Sequence, residues 1–343
     1  MELTLSTREL HPRRVFRIAR ARRRAVCNVF LRLKHDGICG YGEASPNSFY
    51  NETEEIVAEK LTGAREAVRR LRIRSVADIE RAWGELWPML QPSRAAQCAL
   101  DLALWDWLAK SQGCTVSELV WGEAPCPVTS FATIGLSTPE ELVEKLDELA
   151  GFPRIKIKSD AAGDIAPVRT TRAKSNALLA VDANCAWNAL DLSALATELC
   201  DCGVAFLEQP FSPENNARLV RGDYALPMIA DESSVIEEDV APVARHFDGF
   251  NIKLVKCGGI TPTRRMIQRG REAGCQIMVG CMLESSLLIA AGAVIAQKTD
   301  YADLDGAWLL GDDPCEGWTF SQGVLAPTGG AGLGVMPSDE LWG

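Results

Sequence analysis

The chain has 343 residues, 47% of them hydrophobic, and a formal net charge of −10 at pH 7. That length exceeds one small domain and suffices for a large core. The acidic balance argues against a nucleic-acid binder, and the longest apolar run, Leu287 to Ala296, is far short of the ~20 residues a membrane helix needs.

In chain order, Met1 to Thr4 carries no charged region followed by an apolar core, so no export signal and a cytoplasmic location are expected. Residues Val15 to Arg24 and Ala25 to Leu33 read as strands, and the glycine-rich Gly37 to Glu43 as a third. Helical periodicity follows over Glu54 to Leu71, Val76 to Leu90 and Ser93 to Ser111, with Ser93 placed to cap the last of these. Strands first and helices afterwards predict an α+β domain over residues 1–125. Pro125-Cys126-Pro127 breaks both helix and strand and marks its end.

From Val128 onward strand and helix patterns alternate, which implies a parallel sheet over residues 126–320. The helix between the second and third of these strands must be short, because only about Asp164 to Ser175 is available. The tail, residues 321–343, is rich in glycine and proline and is expected to return to the first domain. The 12 cysteines are scattered without a CxxC pair, which fits free thiols in a reducing compartment. The histidines, His11, His35 and His246, lie outside every motif described below.

Five of the apolar runs in the second region end on a charge. They are Arg154-Ile155-Lys156-Ile157-Lys158, then the runs closing on Asp182, Glu208 and Asp231, then Phe250-Asn251-Ile252-Lys253. The charges recur every ~22–26 residues, about one strand-plus-helix unit. A solvated edge strand explains Lys156 and Lys158, and a helix cap explains Asp182, each taken alone. Charges at the carboxyl ends of successive parallel strands instead converge at one mouth of a (β/α) barrel, where barrel active sites sit.

Asp182, Glu208 and Asp231 offer only hard carboxylate oxygens, a donor set that suits Mg²⁺. Without a cation the three would repel one another. Lys158 and Lys253 flank them from strands far apart around the barrel. A buried lysine beside a cation can titrate near the ~7–8 useful to a general base. Two such lysines facing a carboxylate substrate could remove a proton from one face of its α-carbon and return one to the other. Metal coordination of that carboxylate would stabilise the enediolate between the two steps.

With Gly42-Glu43-Ala44, the helix Ala99 to Asp106, Asp182-Ala183-Asn184, Glu208-Gln209-Pro210, Asp231-Glu232-Ser233 and Lys256-Cys257-Gly258-Gly259, the chain resembles the muconate-lactonizing subgroup of the enolase superfamily. The resemblance spans nearly the whole sequence. It implies a modified (β/α)7β TIM-type barrel with an N-terminal α+β capping domain completed by the C-terminal tail. It also implies Mg²⁺ on Asp182, Glu208 and Asp231, catalysis by Lys158 and Lys253, a substrate contact from Lys156, and supporting roles for Asn184, Glu232 and Lys256.

Asp303-Leu304-Asp305-Gly306 places two carboxylates on one strand face, suited to a substrate ammonium, and resembles the dipeptide epimerases. An Asp-Gly turn is the bland alternative. Ala307 stands where proline is frequent in that group. Thr133-Ile134-Gly135 and Gly280-Cys281-Met282-Leu283-Glu284-Ser285 also look like it, which adds Thr133, Cys281 and Met282 to the substrate contacts. The resulting expectation is an isomerase that inverts the α-carbon of the C-terminal residue of a dipeptide, with L-Ala-D/L-Glu favoured. The alternatives are an o-succinylbenzoate synthase, a muconate-type cycloisomerase, or a metal-binding scaffold without catalysis. No nucleic-acid or membrane partner is expected, and self-association is left open.

Two charged features bear on specificity. In strand alternation Arg20, Arg22 and Arg24 share one face of the basic run Arg17 to Arg24; a solvated face explains this, and otherwise Arg20 or a neighbour reaches a glutamate side chain of the substrate. Glu284 would instead favour a cationic side chain.

Overall fold

The computed structural model describes residues 1–19 and 21–342. Its first region contains β1 (Glu2–Leu10), β2 (Phe16–Ile18), β3 (Ala21–Arg23), β4 (Val26–His35) and β5 (Ile38–Ala44), followed by helices α1 (Glu54–Arg70), α2 (Val76–Leu90), α3 (Arg94–Gln112) and α4 (Val116–Trp121). Antiparallel β1, β4 and β5 form the sheet. Strand β1 is not evident from the sequence, because it is buried only at Leu3 and Leu10 and its middle is polar. The single strand expected over Val15 to Arg24 is instead a hairpin, with Phe16 paired to Arg23 and Ile18 to Ala21.

Helix α3 begins after Ser93, whose side chain caps Ala96 N–H as expected. It is buried at every position from Ala95 to Ala109, as befits a helix enclosed on all sides. Small residues allow this. A Cβ on Gly40 or Gly42 of β5 would overlap the Ala103 or Ala99 carbonyl of α3. On its other side Asp101 accepts from Thr261 N–H at 3.0 Å and from its hydroxyl at 2.5 Å, tying the helix to the second region.

That second region starts with β6 (Val128–Thr129) and β7 (Ala132–Ile134), then α5 (Pro139–Glu148), β8 (Arg154–Lys158), α6 (Ala166–Lys174), β9 (Leu178–Asp182), α7 (Leu192–Asp201) and β10 (Val204–Glu208). A 3₁₀ turn, Pro213–Arg218, replaces the helix expected before β11 (Met228–Ala230), and α8 (Val240–Val243) is a single turn. The series continues with β12 (Gly249–Lys253), α9 (Leu254–Cys257), α10 (Ile260–Glu272), β13 (Gln276–Gly280), α11 (Ser286–Ala296), β14 (Tyr301–Asp303) and α12 (Gly306–Leu309).

Strands β7 to β14 lie in sequence order in one eight-stranded sheet, every pairing parallel. Phe131 N–H donates to Ala302 O at 2.8 Å and joins the last strand to the first. This is the expected barrel, with an N-terminal capping domain. Its interior is floored by Phe131, Ala180, Phe206, Ile229 and Met278, all fully buried.

The remaining strands are β15 (Cys315–Glu316), β16 (Thr319–Ser321), β17 (Val324–Ala326) and β18 (Met336–Pro337). β17 pairs with β6. Further along, Leu333 N–H donates to Asp106 of α3 at 2.8 Å and Trp342 stacks on Tyr41 of β5.

Candidate active site

Parallel strands bring their carboxyl ends to one mouth, and the register sets which charges face each other. Lys158 lies opposite Asp182 across β8 and β9, and Asp182 opposite Glu208 across β9 and β10. Side chains two residues apart share a face. Lys156 therefore sits one layer below Lys158, and Asn251 one layer below Lys253.

Oxygens of Asp182, Glu208 and Asp231 lie within 4.8 Å of one another, and all three residues are buried. Lys158 Nζ donates to Asp182 Oδ2 at 2.5 Å, and Lys253 Nζ to Asp231 Oδ2 at 2.8 Å. Lys156 donates to Glu208 Oε2 at 3.0 Å and to Asp303. Lys256 donates to Asp231 Oδ1 at 2.6 Å. The Asn184 amide donates to Asp182 Oδ2 at 3.2 Å and to Glu232 Oε1 at 3.3 Å. Asn251 contributes a donor to Glu208 Oε1 at 2.7 Å. It was not among the expected site residues, although its place two before Lys253 was a usable signal.

A buried carboxylate is costly unless cations or donors compensate it. Burial raises the Asp231 carboxyl, but Lys253 and Lys256 outweigh burial and hold it well below the usual range. For Asp182, Lys158 and Lys156 win in the same way. Glu208 has less compensation, so burial and the nearby Asp182 push it up to about 7. Three hard oxygen donors gathered this closely, one of them pushed up by burial and its acidic neighbour, fit a divalent cation.

The expected low titration of a lysine is tied to a cation beside it, and without one Lys253 is held by its carboxylates. Burial pulls its ammonium down, but the Asp231 and Glu208 carboxylates outweigh burial and hold it above the ordinary lysine value. The reason is the ion pair with Asp231, whose field a bound dication would oppose.

A cavity of about 540 Å³ lies between this mouth and the cap. Of the expected residues, Thr133, Lys156, Lys158, Asn184, Lys253, Cys281, Met282, Asp303 and Asp305 line it. Asp305 accepts from Thr133 N–H at 2.6 Å, and Asp303 from the Thr133 hydroxyl at 3.1 Å. Burial and then Asp303 push the Asp305 carboxyl up to about 7, so a cationic ligand would relieve this pair. Glu284 does not line the cavity. Its buried carboxylate accepts from Met282 N–H at 2.8 Å, so it braces its own loop and is not placed to meet a substrate side chain.

The cap supplies the opposite wall. Phe16, Ile18, Ala21 and Arg23 of the hairpin line the cavity. Arg20 lies outside the described residues. Arg22 and Arg24 are exposed and do not line the cavity, so that face is solvated at both. The hairpin turn breaks the alternation of a continuous strand and brings Arg23 to the side of Phe16. Three cap residues missed by sequence reasoning hold the loop after β13. Asn28 and Ser45 donate to Leu283 O at 3.1 and 3.2 Å, and Asn47 reaches the Met282 sulfur at 3.5 Å.

The sequence profile described as "Enolase C-terminal domain-like" matches residues 140–341, and that described as "Mandelate racemase / muconate lactonizing enzyme, N-terminal domain" matches residues 2–121. The chain belongs to the enolase superfamily. Among relatives in this superfamily, an L-Ala-D/L-amino acid epimerase of Flavobacterium johnsoniae is 38% identical over 98% of this chain and 99% of its own. The dipeptide epimerase of Methylococcus capsulatus, solved with Mg and L-Arg-D-Lys, has a TM-score of 0.90 at 31% identity, covering 98% of this chain and 99% of that one. An enolase family member of Agrobacterium tumefaciens, solved with sodium and L-Ala-L-Glu, has a TM-score of 0.88 at 31% identity, covering 99% of both chains.

Proposed function

We propose that this enolase-superfamily chain is a Mg²⁺-dependent dipeptide epimerase, an isomerase acting at the α-carbon of the C-terminal residue. The observation that carries this reading is the placement of Lys158 and Lys253. They line one cavity from β8 and β12, on opposite sides of an eight-stranded barrel, with the three carboxylates close to both.

Epimerisation requires one lysine as the neutral amine and the other as the ammonium. The amine takes the α-proton from its face, the C–H electron pair stays on the substrate, and the ammonium delivers a proton to the opposite face. The roles exchange with the direction of reaction. Asp182, Glu208 and Asp231 would hold Mg²⁺, which when bound supplies positive charge against the negative charge developing on the substrate carboxylate. Asp303 and Asp305, one of them already bonded to Lys156, suit the free amino group of the first residue.

For the second residue we favour glutamate, because Arg23 is a fork-shaped cation on the cavity wall and suits a side-chain carboxylate. Arg20 stays part of this proposal. All 12 cysteines are free thiols, which supports a cytoplasmic setting.

The test is a panel of free and N-acetylated dipeptides incubated with enzyme and Mg²⁺ in deuterated water, followed by proton NMR. Loss of the α-proton signal from the second residue of free dipeptides, Ala-Glu foremost, is expected. Equal turnover of the acetylated set would remove the case for an ammonium site and favour a relative with a different substrate.

A further inference from the structure

The three carboxylates at the mouth are not held alike. Asp182 and Glu208 are the last residues of β9 and β10 and lie within the sheet register. Strand β11 ends at Ala230 and pairs with β10 only at Met228 and Ile229, so Asp231 falls just beyond its strand. No ladder bond takes the Asp231 N–H. It donates instead to the side-chain carbonyl of Gln209, at 2.8 Å.

Gln209 is fully buried and spans the neighbouring strand ends. Its side-chain oxygen also accepts from Ser233 N–H at 3.1 Å, and its amide nitrogen donates to Phe211 O and to the Ser233 hydroxyl, each at 2.7 Å. Its backbone N–H donates to Ile229 O at 2.9 Å, and its carbonyl accepts from Cys185 N–H at 2.8 Å. One residue thus braces the ends of β9, β10 and β11. It does so with φ at 38°, in the left-handed region that a glutamine side chain disfavours. The surrounding hydrogen bonds hold it there.

We propose that Gln209 is a positioning residue for the divalent-cation site, fixing Asp231 where the sheet does not. The inference rests on reading the carboxylates as that site. Lys253 and Lys256 both pull on the Asp231 carboxylate, at 2.8 and 2.6 Å, so without the brace this carboxylate follows the lysines and not the other two acids. Partners that orient metal-ligating groups commonly change metal affinity about 10–100-fold when removed.

Two variants separate positioning from simple stability. Gln209→Leu removes every side-chain hydrogen bond and keeps the strained backbone. Gln209→Gly removes the bonds and relieves the strain but leaves a cavity, so the two variants lose stability for different reasons. Mg²⁺ is titrated calorimetrically into each full-length protein beside wild type, and thermal unfolding is recorded in parallel. A rise of about 10–100-fold in the Mg²⁺ dissociation constant is expected for both variants, measured well below the unfolding temperature of each. Mg²⁺ affinity within twofold of wild type in Gln209→Gly, or affinity loss only in step with unfolding, overturns the proposal. Absence of Mg²⁺ binding by wild type overturns the underlying cation-site reading as well, and the two failures are thereby told apart.

Discussion

Along β9, β10 and β11 a step of two residues on the same face leads from Ala180 to Asp182, from Phe206 to Glu208 and from Ile229 to Asp231. Burial hardly changes over that step, from 0% exposed to at most 1%. The barrel floor and the barrel mouth are therefore equally dry and opposite in chemistry. A floor side chain is stabilising because it leaves water, by about 1.5–3 kcal/mol for a large one. A mouth carboxylate is tolerable only because Lys156, Lys158, Lys253 or Lys256 faces it, and such pairing is weak evidence for stability. The comparison separates two kinds of failure: substitutions in the floor should affect folding, and those in the mouth binding and chemistry.

The largest effect is expected in the mouth. Asp231→Asn leaves Lys253 and Lys256 without their carboxylate, and both Mg²⁺ binding and epimerisation should fall below detection in calorimetry and NMR. Retention of Mg²⁺ affinity within tenfold would show that Asp231 does not hold the cation. In the floor, Phe206→Ala should cost ~3–5 kcal/mol of folding stability in chemical denaturation. The folded fraction should still exchange both epimers in the wild-type ratio. A changed ratio at unchanged stability would place Phe206 in the site and not beneath it.

Asp305→Asn tests the cavity rim beyond the last strand. A charge-assisted contact to an ammonium is worth ~1.5–3 kcal/mol, so KM for a free dipeptide should rise roughly 10–150-fold with a smaller change in kcat. An unchanged KM would remove Asp305 from the substrate contacts.

A further effect, on stability against pH, concerns Glu43, a buried cap residue that accepts from Ser285 N–H at 3.0 Å at the start of α11. Burial raises its carboxyl from an ordinary 4.5 to about 7. An acid raised on folding contributes stability that is fully present below the unfolded value and lost as pH climbs through the folded one. Stability should therefore decline between about pH 4.5 and 7, by at most ~1.4 kcal/mol per pH unit from this group. Urea midpoints across that window should slope less in Glu43→Gln. An identical slope would show that Glu43 does not titrate there.

The mouth was legible in the sequence because period-two alternation and a parallel sheet leave little freedom. Once Lys158, Asp182, Glu208, Asp231 and Lys253 end successive strands, topology alone converges them. Helix α2 was read to the residue from its periodicity. The hairpin was not legible, since Arg17 to Arg24 offers no apolar alternation. What shapes that segment is remote: Arg17 bonds Glu141 at 2.9 Å, and its carbonyl accepts from Leu136 N–H at 2.9 Å. Gln209 escaped for a related reason, because its role arises only where β11 stops one residue short of Asp231. Glu284 looked available in the sequence and is buried in its own loop.

In the proposed mechanism Lys158 and Lys253 serve opposite faces of one α-carbon. Its most direct test follows α-proton exchange of L-Ala-L-Glu and L-Ala-D-Glu separately, with Mg²⁺ in deuterated water, by NMR for Lys158→Ala and Lys253→Ala. Each variant should lose about 10²–10⁴ in epimerisation, and each should still exchange one epimer, the two variants retaining opposite ones. Epimerisation at the wild-type rate by either variant, or retention of the same epimer by both, would contradict the two-lysine account.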